Sequence, residues 1–107
     1  MNYLAHLYLS DPDPLCRLGN VMGDFVKGRL ERHVALPPRI LKGLRQHRAV
    51  DRLAVSHPAV RRSRTRLDSR FGHTRGILVD IFYDHLLAQN WRHWTGGSLP
   101  DFTSEIY

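Results

Sequence analysis

Only one cysteine, Cys16, occurs in the chain. No intrachain disulfide can form, which fits a reducing compartment, and the expected location is the cytoplasm. No apolar run approaches the roughly 20 residues that a membrane-spanning helix needs. The first segment, MNYLAHLYLS, has no basic lead and no adequate apolar stretch before Asp11, so no secretion signal is expected. β-branched residues are sparse and no useful stretch alternates with period two, which argues against strands and for an all-α fold. Internal repeats and low-complexity tracts are absent, as are a P-loop, a GxSxG elbow, an HExxH helix and a cysteine-rich zinc pattern.

What is present is charge of one sign. The 107 residues carry a formal net charge of +6, which suits an acidic partner: nucleic acid, an anionic membrane or an acidic protein. An apolar share of 42% permits a core, and 24% charged residues are not a disordered composition. Seven histidines are many for this length, and histidine serves as metal ligand and as acid or base.

Helical signals run through most of the chain. Asp13 and Pro14 form a start, and Leu15, Leu18, Met22 and Phe25 continue at helical spacing to about Lys27, where Gly28 is a stop. After the loop ending at Pro37-Pro38, the stretch ILKGLRQHRAVDRLAVSHP forms a helix ended by His57-Pro58. A basic helix with Arg61, Arg62, Arg64, Arg66 and Arg70 is predicted to run to about Arg70. FGHTRG breaks the chain. A long helix, apolar nearly all round and therefore buried, is predicted from about Arg75 to Trp94. TGGSLPDF reads as a loop, and TSEIY as the cap and first residues of another helix.

Polar residues recur inside these apolar stripes. Wound at about 100° per residue, Ile40, Leu44, His47 and Asp51 share one narrow face. Alone, His47 and Asp51 read as a hydrogen-bonded pair. The long helix repeats the feature: Asp80 and Asp84 lie one turn apart, with His85 adjacent. Two such carboxylates repel each other unless something positive lies between them. On the second helix Asn20 and Asp24 are also four residues apart, beside Gly19 and Gly23, which allow close helix packing or room for a ligand. His6, in LAHLYL, is a weaker member of the set and taken alone reads as a core histidine. Asp and His side chains converging from several helices suit Mn²⁺, Fe²⁺, Mg²⁺ or Zn²⁺ in a helical bundle.

MNYLAHLYLS, GNVMGDFVKG, HRAVDRLAVSHP and VDIFYDHLLAQNW, in this order, closely resemble the acyl carrier protein phosphodiesterase family. The resemblance implies a helical bundle like a divergent HD domain. It also implies a metal-dependent hydrolase that releases 4′-phosphopantetheine from the serine of holo-acyl carrier protein, with Mn²⁺ the expected ion and Mg²⁺ or Fe²⁺ as alternatives. Residues 1–107 would form a single helical domain or a fragment lacking the family's C-terminal helices, and apolar surface left open would favour association.

Carried onto the matching motifs, Asp24, His47, Asp51 and Asp84 are expected metal ligands. Asp80 is a ligand or orients one; His85 is a ligand or the acid that protonates the leaving serine. Arg48 or Arg52 would contact phosphate, and the arginines from Arg61 and Arg62 onward would guide the acidic carrier protein. Two other readings stand beside this one: an HD-type hydrolase of a nucleotide or other phosphodiester, and a basic nucleic-acid-binding helical module. The latter leaves the carboxylates inside apolar stripes unexplained.

Overall fold

A computed structural model describes residues 1–106 of the chain, and Tyr107, the last residue of the expected terminal helix, lies outside the described residues. Seven α-helices and no strand occur among them: α1 (Tyr3–Leu9), α2 (Pro14–Met22), α3 (Pro38–Ser56), α4 (Pro58–Thr65), α5 (Thr74–Gln89), α6 (Trp91–Thr95) and α7 (Leu99–Ile106). The all-α expectation holds.

The centre of the fold is the crossing of α2 and α3. Gly19 on α2 meets Gly43 on α3, and a Cβ on either would overlap the other helix's backbone, at the Ile40 or the Cys16 carbonyl. Two glycines at the crossing let the backbones approach directly, and a part-buried polar knot fills the space beside them. The Gln46 side-chain oxygen accepts from Asn20 Nδ2 at 3.1 Å, from Cys16 Sγ at 3.2 Å and from the Asp11 N–H at 3.3 Å. Asn20 also donates to Ser10 Oγ at 3.0 Å. Leu44, fully buried, and Ile40 pack beneath, with Ala5, Val60 and Val79 supplied by α1, α4 and α5.

The outer helices are pinned by a few contacts. Ser63 and Tyr83 share a 2.7 Å hydrogen bond that ties α4 to α5. Tyr8 stands edge-on to the buried Trp91, and Phe102 lies against that indole with centroids 4.8 Å apart, joining α1, α6 and α7.

Several helix ends differ from the sequence expectation. α2 stops at Met22 rather than near Lys27, because Gly23 and Asp24 turn toward α3; Phe25, spaced as a core residue, is exposed. α4 stops at Thr65 because Asp68 caps a new 3₁₀ turn (Ser69–Phe71) through the Arg70 N–H at 2.8 Å. The long helix is interrupted at Asn90, whose side chain donates back to the Leu86 carbonyl and competes with the helical ladder. α7 begins at Leu99, inside the expected loop. The Ser98 hydroxyl accepts from the Asp101 N–H, and Pro100 is tolerated in a first turn that needs no N–H from it. α5 is also not buried all round: Ile77, Ile81, Phe82 and Leu86 are exposed, and of its residues Val79 alone is fully buried among those described.

Candidate metal centre

α3 places His47 and Asp51 one turn apart, as its spacing requires, and three other segments bring groups to them. Asp51 Oδ2 lies 3.2 Å from His47 Nε2, and Asp51 Oδ1 lies 3.1 Å from His6 Nε2. The two imidazoles stack, with centroids 3.8 Å apart and planes inclined by 14°. Asp24, on the turn after α2, sets Oδ1 3.3 Å from His47 Nε2. The turn can reach this far because residue 23 is glycine: a Cβ there would overlap the His47 ring.

The proton arrangement of His47 follows from its other neighbour. Nδ1 is 2.7 Å from the Asn20 carbonyl oxygen, deep in the α2–α3 crossing. A carbonyl only accepts, so Nδ1 carries the hydrogen. Nε2 then faces two carboxylates, Asp24 and Asp51. A bare lone pair there is repelled, so the arrangement favours a proton or a cation between them. His6 Nε2, His47 Nε2 and an Asp51 oxygen have mutual separations within 4.8 Å. Two neutral imidazoles and a carboxylate are a donor set for a divalent transition metal. A carbonyl that fixes one ring nitrogen so that the other can ligate is the usual support of such a site.

Asp51 is the electrostatic hinge of the group. Partial burial pushes its carboxyl up. The His6 hydrogen bond, the hydrogen bond and charge of the Met1 ammonium, and the charge of His6 outweigh that and hold it well below the usual carboxylate range. The Met1 nitrogen is 2.8 Å from Asp51 Oδ1 and 3.5 Å from Asp80 Oδ2. Positive charge therefore already stands between these two carboxylates. Beside them opens a cavity of about 460 Å³ whose wall includes Asp24, Asp51, Arg64 and Asp80.

The residues singled out from the sequence fall into three groups. Asp24, His47 and Asp51 converge, and Asp80 faces the same cavity. Asp84 does something else: its two oxygens accept the Leu4 N–H at 2.8 Å and the Ala5 N–H at 3.0 Å, anchoring the first turn of α1 from across the fold. His85 is exposed, edge-on to Phe82, and is not on the cavity wall. Arg48 donates to the Val26 carbonyl and, with Arg52, lines a second depression that shares no residue with the first. Arg61 and Arg62 are exposed on α4. His6 is more central than its sequence setting suggests: it is 1% exposed and stacked on His47. A single polar residue in an apolar helix gives no further signal of its own. Arg64 is half-buried and turned toward the cavity, unlike its exposed neighbours Arg61, Arg62 and Arg66.

Residues 1–107 match the model of a family described as acyl carrier protein phosphodiesterase. Similar curated proteins bear the same name. One from Yersinia pestis is 36% identical over 95% of this chain and 52% of its own length. One from Pectobacterium atrosepticum is 40% identical over 85% of this chain and 46% of its own. One from Escherichia coli O139:H28 is 37% identical over 95% and 50%. The chain thus spans about half the length of the curated relatives it matches. No solved structure matches it.

Proposed function

Because the chain belongs to the acyl carrier protein phosphodiesterase family, we propose that its cavity binds the phosphodiester of holo-acyl carrier protein and supports hydrolysis to apo-carrier and 4′-phosphopantetheine. The observation that carries this reading is His47. With Nδ1 committed to the Asn20 carbonyl, its Nε2 is presented among carboxylates, a setting that favours a proton or a cation.

In this reading His6, His47 and Asp51 hold one divalent ion, with Mn²⁺ favoured and Mg²⁺ or Fe²⁺ as alternatives; Asp24 stands beside it as a fourth donor. When bound, such an ion neutralises phosphate charge and makes water acidic enough to yield hydroxide near neutral pH. Asp80 faces the same cavity, and its carboxylate takes the proton from the attacking water and returns it to the departing serine oxygen. Asp84 positions His6 by fixing the start of α1. His85, off the cavity wall, is left out of the chemistry. The exposed Arg61 and Arg62 attract the acidic carrier protein, and the reaction is assigned to the cytoplasm.

The test pairs elemental analysis of the purified protein with release of phosphopantetheine from holo-carrier protein. The expected result is about one divalent ion per chain and release that stops on chelation. Undiminished release and metal content in Asp51→Asn would overturn the reading.

A further inference from the structure

We infer that Arg64 is the phosphate-binding side chain of this cavity, contacting a non-bridging oxygen of the scissile phosphodiester. This rests on the reaction proposed above for the substrate and on geometry alone for the anion. The carboxylates of Asp24, Asp51 and Asp80 face the cavity, so an entering phosphate is repelled unless cations offset them. The Met1 ammonium is engaged with Asp51 and Asp80, and Arg64 is the basic side chain on that wall among the described residues.

Its guanidinium is held but not consumed. Its Nε is buried with no hydrogen-bond partner. No carboxylate among the described residues lies within ion-pair distance of it. That buried Nε is covered by protein atoms, so a ligand in the cavity would be met by the terminal Nη groups. The group lies over Gly76, where an added Cβ would come within 3.2 Å of Nη2 and 3.3 Å of Cζ. The missing side chain at residue 76 thus leaves a place for the planar fork. The Ser63–Tyr83 hydrogen bond, one residue away, holds this part of α4 against α5. A fixed guanidinium with free, parallel N–H donors matches two oxygens of one phosphate.

The experiment titrates inorganic phosphate into the chelator-treated protein, followed by ³¹P line width. It is paired with phosphopantetheine release and Mn²⁺ affinity on the same samples. Arg64→Gln is expected to weaken phosphate binding about 10-fold or more, the scale of one charge-assisted bidentate contact. Mn²⁺ affinity should stay within about two-fold, because Arg64 is not among the converged donor atoms. Arg64→Lys, which keeps the charge and loses the fork, should fall between. Arg92→Gln removes the same charge from an exposed site on α6 and should bind phosphate as the unaltered protein does.

Unchanged phosphate affinity in Arg64→Gln overturns the assignment. So does an equal loss in Arg92→Gln, which would make the effect diffuse charge, and so does an unaltered protein that binds no phosphate. If phosphate binding depends on Arg64 but no phosphopantetheine is released from holo-carrier protein, the anion site stands and the proposed reaction falls.

Discussion

His6 and His47 lie face to face, 3.8 Å apart, and each presents Nε2 to a different oxygen of Asp51. One carboxylate thus organises two rings that arrive from helices about forty residues apart in sequence. Removing a ring removes a direct donor. His47→Ala and His6→Ala are each expected to weaken Mn²⁺ binding by at least the roughly 10–100-fold that loss of a supporting contact costs. Electron paramagnetic resonance of added Mn²⁺ reads this directly. Equal free Mn²⁺ in variant and unaltered protein would remove that residue from the centre.

Gly23 gives a test of geometry with no change in charge. Gly23→Ala puts a methyl group where the His47 ring now lies. Its position just past the end of α2 is otherwise compatible with alanine, since φ is −54° and ψ is −37°. The expected outcome is loss of Mn²⁺ binding with helical content retained by circular dichroism. Full metal affinity in that variant would show that the ring does not need its present place.

Gly43 tests the α2–α3 crossing. In an open helix interior, glycine to alanine stabilises by about 1 kcal/mol. Here the added carbon meets the Cys16 carbonyl and the Gly19 Cα, and overpacking costs about 1–3 kcal/mol. The sign should therefore reverse. A thermal midpoint that rises in Gly43→Ala would show that the helices do not touch at this point.

Asp84→Ala leaves two N–H groups at the start of α1 without their acceptor. Loss of such a cap costs about 0.5–2 kcal/mol. Denaturant unfolding should show that loss, and Mn²⁺ affinity should fall less than in Asp51→Asn. The opposite pattern, with metal lost and stability intact, would make Asp84 a ligand.

Carrier-protein docking through Arg61 and Arg62 predicts a steep salt dependence. The association rate should fall as ionic strength rises, because exposed charges are screened beyond about 10 Å at 0.1 M salt. A rate that is flat between low and high salt would leave these arginines without a docking role.

How much of this was legible in the sequence depended on what kind of neighbour each residue meets. His47 and Asp51 were legible because helical periodicity puts both on one stripe with Ile40 and Leu44. Asp24 was legible through the glycine beside it. Asp84 was indistinguishable from Asp80: both are carboxylates in an apolar helix. Which one meets a backbone N–H and which meets a cavity is decided by the packing of α1, a long-range fact. Arg64 was one of five arginines on a basic segment, and only the facing Gly76 on α5 separates it from the rest. Three of the four misplaced helix ends share a cause. Asp68, Asn90 and Ser98 form side-chain hydrogen bonds with nearby backbone groups, and composition gives little warning of which polar residue does so.

The reach of the contacts around Asp51 also predicts an order of events. The α2–α3 pair closes over a short stretch: Asn20 and His47 are 27 residues apart. His6 reaches Asp51 across 45 residues, and Leu4 reaches Asp84 across 80. Closing longer loops costs more chain entropy, and contacts distant in sequence form slowly. The helical hairpin is thus expected to form before the N-terminal helix docks, with the donor set finished only when that helix arrives. Metal capture during refolding should therefore lag behind the recovery of helical signal, making the ion a clock for the last step of assembly.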